Sequence, residues 1–433
     1  MISPATGMRA GERYAVESVE RAPHFPGFFL DGKYYLGPEL NTSVGWLEGE
    51  KFIYDQLDPE GEPVYPDRVA GTIKDLTLIM ADGVRLKLTP MRPEIDQPAG
   101  GTASNRETKS YPLAEKLVVI TGASSGIGRA TAQAFARQRA RLVLAARDRA
   151  ALDEVVAQCQ AVGANALAVC TDVTSSEQMQ ALAAEAATFG DGRIDIWINN
   201  AGVGAVGDFE QTPLEVHEQV LQTDLLGYLR GAYVAWPYFK KQKRGILINT
   251  LSLGSWVAQP YAAAYSASKY GLRGLSEALR GELGEYRDIH VCDVYPAVID
   301  TPGFRDGANY TGHALKPPPP VYDPHRVAEA MVSCALNPKP TTTVGSAAVL
   351  ARAAHFLLPG FAQLSGWLTR RGLNRSPASA TSAGNLFAPP SGQRRVEGGW
   401  RKPTRRPTPL LVAGAALLIG GCLVALGRER GRG

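Results

Sequence analysis

Tyr265 and Lys269 stand four residues apart in the stretch AAYSASKYGLRGLSEALRGEL. Its pattern is helical, so the two side chains share one face about a turn apart. A phenol, with an ordinary pKa of about 10, is a poor base at neutral pH, and a nearby ammonium favours its ionised form. A tyrosine so placed can protonate a carbonyl oxygen, or take the proton of a hydroxyl, while the adjoining carbon is reduced or oxidised. Ser252 ends the apolar run GILINTLS, where its hydroxyl could bind and polarise the same oxygen. Ser255, Ser266 and Ser268 lie nearby, so a serine alone would mean little.

A second chemical feature is the loop TGASSGIG, Thr121 to Gly128, which follows the strand-like LVVI and precedes the helical RATAQAFARQ. Gly122, Gly126 and Gly128 allow a tight turn and close approach of a ligand to the backbone, and the free N–H groups of the next helix point at a pyrophosphate. Ser124, Ser125 and Ile127 complete the cradle. The strand–loop–helix context makes this a dinucleotide site rather than a chance glycine cluster. A fold that selects NAD places an acidic residue after the second strand, about 20 residues beyond the loop, to bind the ribose 2′-OH. Here RLVLAA ends in Ala146 and is followed by Arg147, which can grip a 2′-phosphate with its guanidinium fork. NADP(H) is therefore expected over NAD(H), the alternative being a surface arginine.

From Lys116 onward, LVVI, RLVLAA, ALAVCTDV, IDIWINNAG, GILINTLS and IHVCDVYPA alternate with helical segments. That order builds a parallel sheet with helices on both faces, and near-continuous apolar strands fit a sheet buried on both sides. Residues 113–375 are read as this α/β domain. Residues 1–91 read as a small β-rich module, with hairpins at Asp31-Gly32 and Asp82-Gly83. Strands are expected at Leu76 to Met80 and Val84 to Leu88. Its aromatics Trp46, Tyr54 and Tyr65 are expected in its core rather than on a binding face. Residues 92–112 read as a linker and 376–409 as a disordered tether.

The totals restrict function. A net charge of +4, with 45% hydrophobic and 20% charged residues, gives no overall bias toward nucleic acid. The five cysteines, Cys159, Cys170, Cys292, Cys334 and Cys422, form no CxxC pair, and the six histidines are dispersed, so neither a disulfide framework nor a metal site is expected. The apolar run Leu410 to Leu426 is flanked by Arg405, Arg406, Arg428 and Arg430. As a helix it would cover about 26 Å of a ~30 Å hydrocarbon core, enough with snorkelling arginines. A C-terminal transmembrane helix is expected, with the catalytic domain in the cytoplasm; a buried soluble helix is the alternative.

TGASSGIG, then NNAG at Asn199 to Gly202, then Ser252 followed by YSASK at Tyr265 to Lys269, together resemble the short-chain dehydrogenase/reductase family. The resemblance covers about half the chain. It implies a Rossmann-type doubly wound sheet of about seven strands, a nicotinamide cofactor, and Ser252, Tyr265 and Lys269 as the catalytic group, with Lys269 also holding the nicotinamide ribose. It further implies that Asp172 and Val173 contact the adenine, that Asn199, Ala201 and Gly202 lie beside the adenine ribose and central sheet, and that Thr301 contacts the nicotinamide carboxamide. Two positions depart from the family pattern. Asp224 replaces an asparagine whose backbone carbonyl helps hold a water near the lysine, and Pro296-Ala297 replaces Pro-Gly.

Beyond Thr301 a long loop stands where the family has its substrate lid, and Trp256, Val257, Phe304, Tyr310 and Phe356 suggest an apolar pocket. A hydrophobic carbonyl or alcohol substrate is expected. The amphipathic stretch Gly345 to Gly372, broken at Pro359-Gly360, reads as packing on the enzyme, with a lid or a membrane-surface element as alternatives. The competing function is a nucleotide-binding membrane scaffold or sensor without turnover. Homo-oligomerisation is left open.

Overall fold

The computed structural model describes residues 3–9, 12–17, 25, 27–35, 43–54, 69–80, 82–91, 111–390 and 394–401. The chain divides into two units, Met1–Glu107 and Thr108–Pro403. The expected linker and the apolar run Leu410 to Leu426 lie outside the described residues apart from Tyr111 and Pro112. Among the described residues no helix is long and apolar enough to cross a membrane.

The first unit is a closed antiparallel barrel of eight strands, β1 (Arg13–Val16), β2 (Phe28–Leu30), β3 (Lys33–Tyr35), β4 (Ser43–Glu48), β5 (Lys51–Tyr54), β6 (Val69–Lys74), β7 (Thr77–Met80) and β8 (Arg85–Met91), with β8 pairing back onto β1. Alternate residues point inward, and Tyr14, Phe29, Tyr34 and Phe52 fill the interior. Tyr54 is buried as expected, Trp46 is half-buried, and Tyr65 is outside the described residues. The β2–β3 turn has positive φ at Asp31 and Gly32, the geometry of a type I′ hairpin. A further turn of this kind joins β6 to β7 at Asp75 (φ 45°) and Leu76 (φ 56°). Leu76 was expected to start a strand; an Asp-Leu pair carries no turn signature, and tertiary pairing imposes the turn.

In the second unit, seven parallel strands run in the order β11-β10-β9-β12-β14-β15-β17. These are β9 (Leu117–Thr121), β10 (Arg141–Ala146), β11 (Ala166–Cys170), β12 (Ile196–Asn199), β14 (Arg244–Thr250), β15 (Asp288–Pro296) and β17 (Thr341–Val344). Two short strands, β13 (Ala205–Val206) and β16 (Ala308–Asn309), pair separately. Every residue of β9 is buried, because helices cover both faces. Phe135 of α1 (Gly126–Arg137), Leu152 of α2 (Arg149–Ala161) and Met331 of α8 (Pro324–Leu336) pack on one side. Met179 and Leu182 of α3 (Ser176–Phe189) and Phe239 of α5 (Gly227–Gln242) pack on the other. Capping sets several helix starts: the Asp148 carboxylate accepts from Ala151 N–H at 3.1 Å, and Ser175 Oγ from Gln178 N–H at 3.2 Å. The chain reverses direction of winding between β9 and β12, and the crevice at the carboxyl ends of those strands is where such sheets bind ligands.

Two further helices line that crevice, α6 (Ala263–Gly281) and the short α7 (Gly303–Asp306), and α4 (Leu214–Leu221) packs against α6. A π-helical turn at Gln222–Leu226 links α4 to α5, an irregularity often found at functional sites. The amphipathic stretch forms α9 (Ser346–Leu357) and α10 (Phe361–Leu373), which pack on the rest of the second unit through cations. The Arg352 guanidinium lies 3.6 Å from the Trp256 ring centre, and Arg370 binds the Tyr261 hydroxyl and Asp208.

The expected disordered tether is corrected over residues 376–390 and 394–401; its remaining residues lie outside those described. Pro377 to Asn385 bonds along the loop 306–314, with Asn309 and Ser382 exchanging both backbone hydrogen bonds and Asn385 N–H donating to the Asp306 carbonyl at 2.8 Å. Leu386 is fully buried against Val203, Val216 and Ala308. A Ser/Ala/Pro-rich composition does not exclude this docking, since backbone groups and a few apolar anchors make the contacts.

Candidate active site

Three elements bring the catalytic candidates together. Ser252 follows β14, Tyr265 and Lys269 lie on α6, and Asp224 sits in the π-helical turn. Lys269 is buried, with its Nζ 3.3 Å from the Thr250 carbonyl and 3.5 Å from Asp224 Oδ2. The ammonium also stands 4.8 Å from the Tyr228 ring centre and 5.6 Å from that of Tyr265. Asp224 is wholly buried; its Oδ1 accepts from Val203 N–H at 2.8 Å, and its Oδ2 has only the lysine for a partner. Ser252 Oγ accepts from Gly254 N–H at 3.0 Å, which leaves its proton free to be donated.

Electrostatics depart from the sequence expectation in one respect. An ammonium one turn away was expected to favour ionised Tyr265, yet its pKa stands raised to about 12. Burial dominates, the neighbouring Ser252 hydroxyl pulls the other way, and the Asp224 charge adds to the rise. Burial likewise lowers the Lys269 pKa, opposed by Asp224, and raises that of Asp224, opposed by Lys269. Asp224 thus works on the tyrosine through its side-chain charge.

One cavity of ≈ 420 Å³ joins this group to the glycine loop. Gly122, Ser124, Ser125, Gly126, Ile127, Arg147, Asp172, Val173, Ala201, Gly202, Pro296 and Thr301 line it, with Asp224, Ser252, Tyr265 and Lys269. The loop is shaped for a close backbone approach: Gly122 has φ +66°, and a Cβ there would stand 2.6 Å from Ala201 Cα. Two expected residues are displaced from the lining. Asn199 is buried behind it, accepting from Trp197 Nε1 and donating to the Tyr228 carbonyl, because it belongs to the inward face of β12. Its neighbour Asn200 lines the cavity instead, with its amide bonded to the carbonyls of Thr121 and Gly122. Gly128 is a packing position, since a Cβ would meet the Gly122 carbonyl oxygen at 2.1 Å.

Residues 116–309 match the short chain dehydrogenase family. The chain is 33% identical over 255 residues to the uncharacterized oxidoreductase YxnA of Bacillus subtilis, covering 57% of this chain and 70% of that protein. The chain belongs to the short-chain dehydrogenase/reductase family. It is also 34% identical over 192 residues to 3beta-hydroxysteroid dehydrogenase 1 of Eggerthella lenta, covering 44% of this chain and 73% of that protein. A short-chain dehydrogenase/reductase of Burkholderia phymatum, solved in complex with NAD, shares the fold with TM-score 0.51 and 24% identity, over 62% of this chain and 99% of that one. This dehydrogenase is therefore an NAD(P)-dependent oxidoreductase acting on CH–OH or C=O groups.

At the adenosine end the dehydrogenase departs from expectation. Arg147 lines the cavity, but its guanidinium donates to the carbonyls of Leu386 (2.9 Å) and Asn385 (2.5 Å). The expected apolar wall is also redrawn. Phe304 lines the cavity together with Leu253, Leu315 and Val206. Trp256 instead packs on Tyr295 between Arg273 and Arg352, and Phe356 is 88% exposed. Asn385, Pro389, Pro390 and Arg394 complete the lining; lying more than 200 positions from the glycine loop, they carry no motif that spacing could reveal.

Proposed function

We propose that this dehydrogenase transfers hydride between NADP(H) and a hydrophobic carbonyl or alcohol substrate, with Tyr265 as the acid or base. The observation that carries the reading is the convergence of Ser252, Tyr265 and Lys269 on the same cavity as the glycine loop. When bound, the nicotinamide supplies or accepts the hydride. Tyr265 gives its proton to the substrate oxygen in reduction and takes it back in oxidation. Ser252 donates a hydrogen bond to that oxygen, and Lys269, one turn along α6 from Tyr265, stands where it can hold the nicotinamide ribose.

The phosphate-bearing cofactor is supported by the residues after β10. The carboxylate there, Asp148, lines the cavity but already caps α2 and pairs with Arg394, while Arg147 adds positive charge. The apolar lining of Phe304, Leu253 and Leu315, and a relative named for a steroid substrate, support a hydrophobic substrate. The basic-flanked run Leu410 to Leu426 supports a membrane anchor; its two basic flanks orient it only weakly, and the cytoplasmic supply of nicotinamide cofactor supports a catalytic domain on that side.

Apolar aldehydes, ketones and alcohols, assayed with NADPH or NADP⁺ against wild type and Tyr265→Phe, test the reading. Turnover that depends on Tyr265 is expected; nucleotide binding without it would make the protein a scaffold or sensor. Truncation after Pro409 should release the protein from membranes, and unchanged fractionation would remove the anchor.

A further inference from the structure

The segment after Ser376 does more than dock. It meets the dinucleotide crevice at the adenosine end through Asn385 and Leu386 and at the nicotinamide end through residues 398–401, and several of its anchors are residues of the cofactor site or their neighbours. Arg147 holds the carbonyls of Asn385 and Leu386. Gly126 N–H, at the start of α1, donates to the Arg395 carbonyl at 2.9 Å. Asp300, beside Thr301, accepts from the N–H groups of Gly398, Trp400 and Arg401, and Trp400 Nε1 donates to the Thr301 carbonyl. A cavity nonetheless remains, lined in part by this strap, although the Arg395 carbonyl takes one N–H at the start of α1.

Arg394 is the charged residue that the strap brings to this lining. Its side chain is 8% exposed and lines the cavity. Nε and Nη2 meet Asp148 Oδ2 at 3.1 and 2.9 Å, and Nη2 also donates to the Pro390 carbonyl. Arg147 and Arg394 both line the cavity; Arg394 is paired with Asp148, whereas the carbonyls that hold Arg147 carry no net charge and Arg147 has no carboxylate partner among the described residues. An uncompensated charge in a partly desolvated corner is costly unless an anion joins it. Two guanidiniums flanking one cavity wall are the donor set that recognises a phosphate.

We propose that the strap belongs to the cofactor site and that Arg394, acting with Arg147, reads the 2′-phosphate of NADP(H). This rests on the NADP(H) reading above. It makes cofactor choice a property of the C-terminal segment as well as of the Rossmann core. The 2′-phosphate joins the Arg147–Asp148–Arg394 cluster and compensates its excess charge, and binding also fastens the strap across the crevice.

Equilibrium binding of NADPH and NADH to the full chain, followed by nicotinamide fluorescence, tests it without relying on turnover. Wild type is expected to bind NADPH more tightly. Arg394→Ala should weaken NADPH at least about tenfold and leave NADH within about twofold, and Arg394→Lys should recover part of the loss. Equal weakening of both cofactors, or none, overturns the inference while the NADP(H) reading stands. A wild type without preference for NADPH overturns that reading and this inference with it. If Arg394→Ala does not fold, Arg394→Gln and Arg394→Lys carry the same comparison.

Discussion

The Asp224 carboxylate lies 3.5 Å from the Lys269 ammonium, and both are buried. Asp224 raises the Tyr265 pKa and opposes the burial-driven fall of the Lys269 pKa. Asp224→Asn removes the charge while keeping an oxygen for Val203 N–H. The ionised phenol then becomes easier to form, so the pH limb of the oxidation rate should move to lower pH. Asp224→Ala strands a buried ammonium and should cost about 3–5 kcal/mol of stability. Parallel pH–rate profiles and thermal melts check both, and an unmoved limb in the Asn variant removes Asp224 from the proton chemistry.

With its pKa raised to about 12, Tyr265 is protonated throughout the neutral range. Reduction needs the phenol and should be insensitive to Tyr265 ionisation from neutral pH to about pH 10. Oxidation needs the phenolate and should rise with pH over the same interval. Tyr265→Phe should lower both rates by about 10²–10⁴-fold with nicotinamide binding retained. Initial rates in both directions across pH decide it; an oxidation rate flat from pH 7 to 10 contradicts the assignment.

A side chain at position 128 has nowhere to go. Its Cβ would sit 2.1 Å from the Gly122 carbonyl oxygen and 2.6 Å from Asn200 Nδ2. Gly128→Ala should cost about 1–3 kcal/mol and weaken nucleotide binding by displacing the loop. Calorimetric melting and a binding titration measure the two effects; wild-type values in both would show that the loop relaxes freely.

The strap should detach in acid. Burial of Asp300 works to raise its pKa, but the Trp400 N–H and the side chain and N–H of Arg401 outweigh it, so the folded value lies below the ordinary one. For a depressed carboxyl, the stabilisation is present above the unfolded pKa and is lost as pH falls through the folded value. Docking of residues 394–401 should therefore hold at neutral pH and weaken below about pH 4. Asp300→Asn should speed amide exchange in this segment about fivefold or more at pH 7. Exchange mass spectrometry reads it, and no change in either condition means that Asp300 does not hold the strap.

Much of the dehydrogenase was legible because its signals are local. The glycine loop needs special φ and close contacts within a few residues, Tyr265 and Lys269 are related by one helical turn, and Asp31-Gly32 encodes its own turn. Legibility failed where long-range contacts decide. Asn199 and Asn200 are adjacent and chemically identical, yet the first ends β12 and bonds within the core while the second follows the strand and lines the cavity. Leu76 enters a turn because β6 and β7 must pair, against its own preference. Trp256 and Phe356 were reasonable pocket residues by type, but packing turned both elsewhere.

The sequence by itself determined the parallel sheet, the nucleotide loop and the Tyr265–Lys269 pair, since periodicity and short spacings specify them, and it pointed to Ser252 through the family resemblance. Only the tertiary structure decided what surrounds them. Burial sets the direction of the tyrosine, lysine and aspartate pKa shifts, and burial is a property of packing. Arg147 is joined by a strap more than 200 residues along the chain, held by backbone carbonyls that every residue carries, so no side-chain pattern could announce that contact.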